Sequence, residues 1–186
     1  MGAFGGPDII TDGLALAVDA GSTRSYPGSG TTTTSLVSSN IGSLINGVGF
    51  SSDNGGAFTF DGVNDFISFD TTLTFSSANL TSVTWVKLDS YPSQNPTIGF
   101  SPDSGTTGFR LYAVSTTSLG VWTRNGTGGG VTSIGTTNGI ALNEWVQVTF
   151  VLNGTNGKLY KNGVEILTGT FTQTPNALSS SPVWLS

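Results

Sequence analysis

Short runs of β-branched and aromatic residues alternate along the chain with clusters of Gly, Asn, Ser and Thr, without the apolar stripe of a helix. The clearest run is Trp145–Leu152, where every second residue is apolar: Val146, Val148, Phe150 and Leu152. A period of two with one apolar face is typical of a half-buried strand. Many such runs between polar turns predict an all-β domain built from antiparallel sheets.

The same alternation predicts two hairpins. Lys158–Lys161 and Val164–Leu167 are separated by Asn162-Gly163, a pair that tolerates the positive φ angles of a type I′ turn. Phe109–Ala113 and Leu119–Arg124 alternate on either side of a polar turn. Further strands are predicted at Leu14–Asp19, Phe58–Phe60, Phe66–Phe69 and Ser82–Leu88, and loops at Gly21–Asn40 and Gly126–Gly130.

Three segments resemble laminin-G-like domains with a concanavalin A-like jelly roll. Residues 58–67 (FTFDGVNDFI) resemble the family's FDGxNDYI signature, and residues 82–87 (SVTWVK) resemble its Trp-containing strand. Residues 143–164 resemble its "W..v..t..ng..klYvNG" hairpin. The resemblance implies an all-β, two-sheet antiparallel jelly-roll sandwich. We expect a single domain over residues 1–186, with an N-terminal extension at 1–12.

The end of the sequence departs from the family pattern. The family closes with a further strand after a glycine, whereas this sequence stops at residues 183–186 (VWLS). The resemblance therefore implies a missing closing strand, or a sheet finished by other means. An open sheet edge would invite pairing with another chain.

The N-terminal region carries a second resemblance. Residues 7–20 (PDIITDGLALAVDA) and 25–30 (SYPGSG) resemble openings of laminin-G-like structural proteins in tailed phages of marine bacteria. This resemblance implies a virion surface protein, made in the host cytoplasm, that decorates a capsid or forms part of a tail or fibre. Its expected partners are the major capsid or tail protein and further copies of itself. The alternative hypothesis is a lectin module that binds host surface glycans.

Composition narrows these hypotheses. The 6 basic residues are scattered and the net charge is −5, so we expect no nucleic-acid partner. No run approaches the ~20 apolar residues that span a bilayer, so we expect no membrane segment. The chain has 0 His and 0 Cys, which excludes His-activated nucleophiles and His or Cys metal ligands. Glu144 and Glu165 belong to separate strand regions, unlike the paired carboxylates of a glycosidase. We therefore predict a protein that is not an enzyme.

The first candidate site lies on the hairpin at residues 109–124. Its outward residues are predicted to be Arg110, Tyr112, Trp122 and Arg124. Aromatic rings beside Arg suit sugar rings or a protein partner, although ordinary cross-strand pairing on an exposed sheet gives the same pattern. Trp85 and Trp145 are instead expected in the core or at strand ends.

The second candidate site is a calcium site. Asp61, Asn64 and Asp65 offer the oxygen ligands that Ca²⁺ takes in sets of six to eight. The alternative is a β-turn in which these side chains bond to local backbone. No other cofactor is expected.

Overall fold

The computed structural model describes residues 11–69, 79–91, 98, 100–101, 107–125, 132–136, 138–172 and 183–185. These residues form strands and one short 3-10 turn at Asp53–Gly55, which confirms the all-β prediction. The strands are β1 Thr32–Thr34, β2 Ile41–Ile45, β3 Gly49–Ser51, β4 Ala57–Thr59, β5 Phe66–Phe69, β6 Asn79–Val86, β7 Phe100–Ser101, β8 Thr107–Ser115, β9 Ser118–Asn125, β10 Thr132–Thr136, β11 Val146–Asn153, β12 Asn156–Lys161, β13 Val164–Thr170 and β14 Val183–Leu185.

All strand pairings among the described residues are antiparallel. Three larger ladders run in the orders β1-β2-β5-β14-β7, β10-β9-β8 and β13-β12-β11-β6, and β3 pairs with β4. The backbone N–H of Ile98 donates to Leu111 O at 3.0 Å, which connects the segment before β7 to β8. The resulting architecture has large antiparallel sheets joined by hairpins and crossovers.

The strand at residues 183–185 lies inside a ladder. Val183–Leu185 forms β14, which pairs with β5 on one side and with β7 on the other. Its backbone groups are thus directed at neighbouring strands on both sides. The two-sided pairing of β14 fits a sheet finished by other means, and a missing closing strand stays a prediction.

The main core lies between two ladders. β8 and β9 contribute inward side chains that are fully buried, and so do β11 and β12. The rings of Phe109 and Phe150 lie 5.4 Å apart across this core, and Phe150 meets Phe171 edge-on at 6.0 Å. Each fully buried side chain of this size stabilises the fold by about 1.5–3 kcal/mol. This core directs the other faces of the two ladders outward.

A second, smaller core forms around β5. Ile67 and Phe69 are fully buried, and Leu16 and Val18 pack against them. Gly42 on β2 lies opposite Phe69, so close that a Cβ there would meet the Phe69 ring at 2.6 Å. Glycine at this position lets β2 approach the aromatic core.

The predicted strand at Leu14–Asp19 is wrong, although its apolar residues do reach the core. The segment is irregular, and its backbone is bound by two serine hydroxyls and by Leu36 N, which donates to Ala17 O at 2.8 Å. Ala17 N donates to Ser35 Oγ at 3.4 Å and Asp19 N donates to Ser25 Oγ at 3.2 Å. Side-chain acceptors of this kind compete with ladder formation.

The loop predicted at Gly21–Asn40 contains a strand. β1 is made of three of the four consecutive threonines and pairs with β2. Thr33 is buried, and its hydroxyl donates to Ser25 O at 3.0 Å. The other predicted loop, Gly126–Gly130, lies outside the described residues. No helix long and apolar enough to cross a membrane occurs in the described part of the chain.

Candidate functional site

The β8–β9 hairpin places three of the four predicted site residues on one outward face. Phe109 and Leu111 point into the core and are fully buried, so the alternate residues Arg110 and Tyr112 face outward and are half-buried. In the antiparallel register Arg110 lies opposite Trp122. The outward face predicted from alternation is therefore present.

Arg110 and Trp122 are in direct contact. The guanidinium carbon of Arg110 lies 4.7 Å from the centroid of the Trp122 ring. A cation over an indole contributes about 0.5–1 kcal/mol at an exposed site and about 2 kcal/mol when desolvated. This contact orients both side chains before any ligand arrives.

Tyr112 lies across a row of glycines. Its register partner on β9 is Gly120, and Gly120 in turn lies opposite Gly135 on β10. A Cβ at Gly135 would lie 2.9 Å from the Tyr112 hydroxyl oxygen, so the phenol reaches over β9 to the third strand. Burial raises the pKa of Tyr112. The hydroxyl is therefore protonated at neutral pH and can both donate and accept hydrogen bonds.

Arg124 lies opposite Gly108, two residues beyond Trp122 along β9. Its register position belongs to the same face as Trp122, because successive residues of a strand alternate between faces. A ligand contact by Arg124 stays a prediction.

The predicted calcium residues form a tight turn. Asp61 Oδ1 accepts hydrogen bonds from Val63 N at 2.8 Å and Asn64 N at 3.2 Å. Asp65 Oδ2 accepts from Asp61 N at 3.1 Å. The hydrogen bond from Val63 is the largest cause of a lowered pKa for Asp61. These hydrogen bonds are the ones expected for the alternative hypothesis, a β-turn in which the side chains bond to local backbone.

One oxygen of this turn lacks a hydrogen-bond partner. Asp65 is 8% exposed, and its Oδ1 atom is buried without a donor among the described residues. Nearby, Asn46 Nδ2 donates to Asn64 O at 2.8 Å and closes the turn against the β2–β3 connection. The described residues hold no group of three or more His, Cys, Asp or Glu side chains placed for a metal. Calcium binding by Asp61, Asn64 and Asp65 stays a prediction.

Sequence reasoning missed two exposed tryptophans. Trp85 on β6 is 59% exposed, and Trp145, directly before β11, is 36% exposed. Both lie at strand ends, as one of the two expectations stated, and neither lies in the core. The alternation of Trp145–Leu152 already placed Trp145 on the polar face, and that signal could have found it.

Together these features define an antiparallel β-sandwich with aromatic side chains displayed on its outer faces. Residues 60–186 match the concanavalin A-like lectin/glucanases superfamily, and the chain belongs to this family. The family name covers both lectins and glucanases, so membership defines the fold and does not define the activity.

Solved structures share this architecture at low sequence identity. Domain 4 of an extracellular GH43 arabinanase from Geobacillus stearothermophilus, in complex with arabinotriose, has a TM-score of 0.59 and 17% identity. That match covers 75% of this chain and 66% of the other, just under two thirds of its length. The binding domain of botulinum neurotoxin serotype D has a TM-score of 0.50 and 14% identity, over 80% of this chain and 34% of that one. No curated protein sequence matches the chain.

Proposed function

We propose that this domain is a non-catalytic glycan-binding module whose binding surface is the outer face of β8 and β9. The observation that carries the proposal is the grouping of Arg110, Tyr112 and Trp122 on this face. The lectin module, which was the alternative hypothesis from the sequence, thus becomes our main hypothesis.

The chemistry of the face suits a sugar. The apolar side of a sugar ring can stack on an aromatic ring, while the ring hydroxyls bond to polar groups at its border. Trp122 and Tyr112 are diagonal neighbours on adjacent strands, a separation of about 7–8 Å. The Tyr112 hydroxyl and the Arg110 guanidinium supply donors beside the rings. The contact between Arg110 and Trp122 limits the side-chain entropy lost on binding.

A similar fold with a bound sugar supports the class of ligand. The arabinanase domain with a TM-score of 0.59 is in complex with arabinotriose. We take from it an oligosaccharide as the class of ligand, and we take the position of the site from this chain's own residues.

A glycan array tests the proposal. The wild-type domain should bind a defined set of glycans, and Trp122→Ala should weaken that binding by about tenfold or more, as truncated aromatic hot spots do. Val164→Ala, which alters a 66% exposed side chain on β13, is the matched control and should bind as the wild type does. Absence of binding to any glycan, or equal binding by Trp122→Ala, contradicts the proposed site. Running the array with calcium and with chelator also tests Asp61, Asn64 and Asp65.

The virion surface is our proposal for where this module is displayed. It depends on the resemblance of residues 7–20 and 25–30 to phage structural proteins, with capsid or tail proteins and further copies of the chain as partners. If this location is right, antibody raised against the domain should label purified phage particles. Labelling of soluble protein alone would contradict it.

A further inference from the structure

The outer face of the β13-β12-β11-β6 ladder displays two tryptophans that the β8–β9 site does not use. Gln147 on β11 lies opposite Trp85 on β6. Trp145, two residues before Gln147, is therefore the diagonal neighbour of Trp85, and diagonal neighbours are about 7–8 Å apart. The two tryptophans, 59% and 36% exposed, share this open face with the amide side chain of Gln147.

Hydrogen bonds hold this part of the sheet in place. Gln147 N donates to Asn162 Oδ1 at 2.9 Å, and Asn162 N donates to Gln147 O at the same distance. Asn162 and Gly163 have φ angles of 50° and 78°, which confirms the predicted type I′ turn. Asn143 N donates to Leu88 O at 2.8 Å and ties the turn before Trp145 to the end of β6. The backbone carrying both tryptophans is thus preorganised.

Two ion pairs lie around this face. Lys87 Nζ lies 3.8 Å from Asp89 Oδ1, and Lys158 Nζ lies 2.8 Å from Glu165 Oε2. Trp85, Val83, Gln147 and Thr149 on the two paired strands are uncharged, and Lys87, two residues after Trp85 on the same face, is paired with Asp89. The uncharged side chains of this surface match an uncharged polyol.

The pattern of the face favours a sugar chain over a protein partner. Stable protein interfaces bury about 800 Å² on each partner around an apolar centre. Here Gln147 and Thr149 interrupt the apolar surface, while the two separated indoles can stack on sugar rings and the amide beside them can bond to hydroxyls.

We infer that Trp85, Trp145 and Gln147 form a second carbohydrate-binding surface, specific for a neutral polysaccharide. β8 and β11 point their inner side chains into one shared core, where Phe109 and Phe150 meet at 5.4 Å. The outer faces of their two ladders therefore point away from each other. A single domain holds two polysaccharide chains, one on each side, and links them. The second surface rests on its own residues, whereas the linking rests also on the proposed function of β8 and β9.

A precipitation assay separates the two surfaces. Insoluble arabinan, xylan and cellulose are the probes for binding, and solutions of the first two are the probes for linking, measured as turbidity against protein concentration. In a chain that already carries Trp122→Ala, adding Trp85→Ala and Trp145→Ala should weaken binding to at least one probe by about tenfold or more. Val164→Ala in the same background, a 66% exposed position on β13 outside this surface, is the control and should change binding by less than about twofold.

The outcomes distinguish this inference from the proposed function. Binding lost only after the Trp85 and Trp145 changes supports the second surface, even if Trp122→Ala alone has no effect. Binding unchanged by these two changes overturns it and leaves the β8–β9 proposal standing. Turbidity with the wild type that disappears when either surface is altered supports the linking. Oligomers without polysaccharide that dissociate in Trp85→Ala would identify a protein interface and overturn the inference. Because both indoles are exposed, circular dichroism should show unchanged folding of these variants.

Discussion

Phe150 joins the two ladders of the main core, and its replacement tests whether they form one sandwich. The side chain is fully buried and contacts Phe109 from the opposite ladder and Phe171 beyond β13. Phe150→Ala should lower the free energy of unfolding by about 3–5 kcal/mol, since a large buried side chain is lost and a cavity remains. That is a large part of the ~5–15 kcal/mol of a typical domain.

A smaller change keeps the test informative if Phe150→Ala does not fold. Phe150→Leu retains most of the apolar volume but loses both aromatic pairs, each worth about 0.5–1.5 kcal/mol, so we expect a loss of about 1–3 kcal/mol. Urea unfolding followed by circular dichroism gives the free energy and its denaturant slope. A slope equal to that of the wild type shows that the variant unfolds from the same compact state.

Val151→Ala is the matched control for both variants. Val151 is the next residue of β11 and lies half-buried on the opposite face, so its truncation should cost less than about 1 kcal/mol. If Phe150→Ala costs as little as Val151→Ala, the faces of β11 have been assigned the wrong way round. The core between the two ladders would then have to be rejected.

Three further predictions concern single positions. Gly42→Ala should destabilise the fold by about 1–3 kcal/mol in urea unfolding, because its Cβ would lie 2.6 Å from the Phe69 ring and 2.8 Å from Ile67 Cγ2; unchanged stability would show that β2 can move away. Gly135→Ala should displace the Tyr112 ring and weaken glycan binding while changing stability by less than about 1 kcal/mol, and equal binding would remove Tyr112 from the site. The pKa of Asp61 is lowered in the fold from its ordinary 3.8, so its stabilising effect is present above that value and is lost as the pH falls through the folded pKa. Asp61→Asn keeps an oxygen acceptor for Val63 N, so its melting temperature should fall less between pH 6 and pH 3 than that of the wild type; an equal fall would assign the acid sensitivity to other carboxyls.

Calcium binding at the turn that contains Asp61 is tested by measuring the melting temperature. If the buried Oδ1 of Asp65 is a ligand, calcium should raise the melting temperature relative to chelator, because an ion that binds the folded state stabilises it. Asp65→Asn should abolish that rise. An identical melting temperature with calcium and with chelator would favour the turn, in which Asp61 and Asp65 serve local backbone N–H groups.

The parts of the fold that local alternation determines could be predicted from the sequence. β5, β11 and the hairpin at Asn162-Gly163 all have a clear apolar face or a turn pair with one preferred geometry. β1 and β14 could not be predicted in this way. β1 is a threonine run without alternation, and β14 is three residues long and acquires its strand geometry from β5 and β7. Such strands depend on partners distant in the sequence, which a local pattern does not contain.

The candidate sites, like the fold, could be predicted from local alternation only in part. Alternation placed Arg110, Tyr112 and Trp122 on one outward face, but it could not show the Arg110–Trp122 contact or the glycine row under Tyr112, because both depend on cross-strand register. Trp85 was expected in the core or at a strand end, and the first of these expectations follows the rule that a large apolar side chain is usually buried. That rule reports an average over proteins, and here the register opposite Gln147 places Trp85 on the outer face of the sheet.

The separation of inner and outer faces has a consequence for how this domain can acquire function. Changes at Phe109 or Phe150 act on the packed core, where a lost contact lowers stability directly. Changes at Trp122 or Trp85 act on faces that the core does not use, so their effects on binding and on stability are nearly independent. The two tryptophans lie on opposite sides of that core, and sites without shared partners contribute additively. On a soluble oligosaccharide, Trp122→Ala should therefore weaken the affinity of one site, Trp85→Ala that of the other, and the double variant should show both losses with the same magnitudes. A change in the affinity of the unaltered site would mean that the two faces communicate through the sandwich.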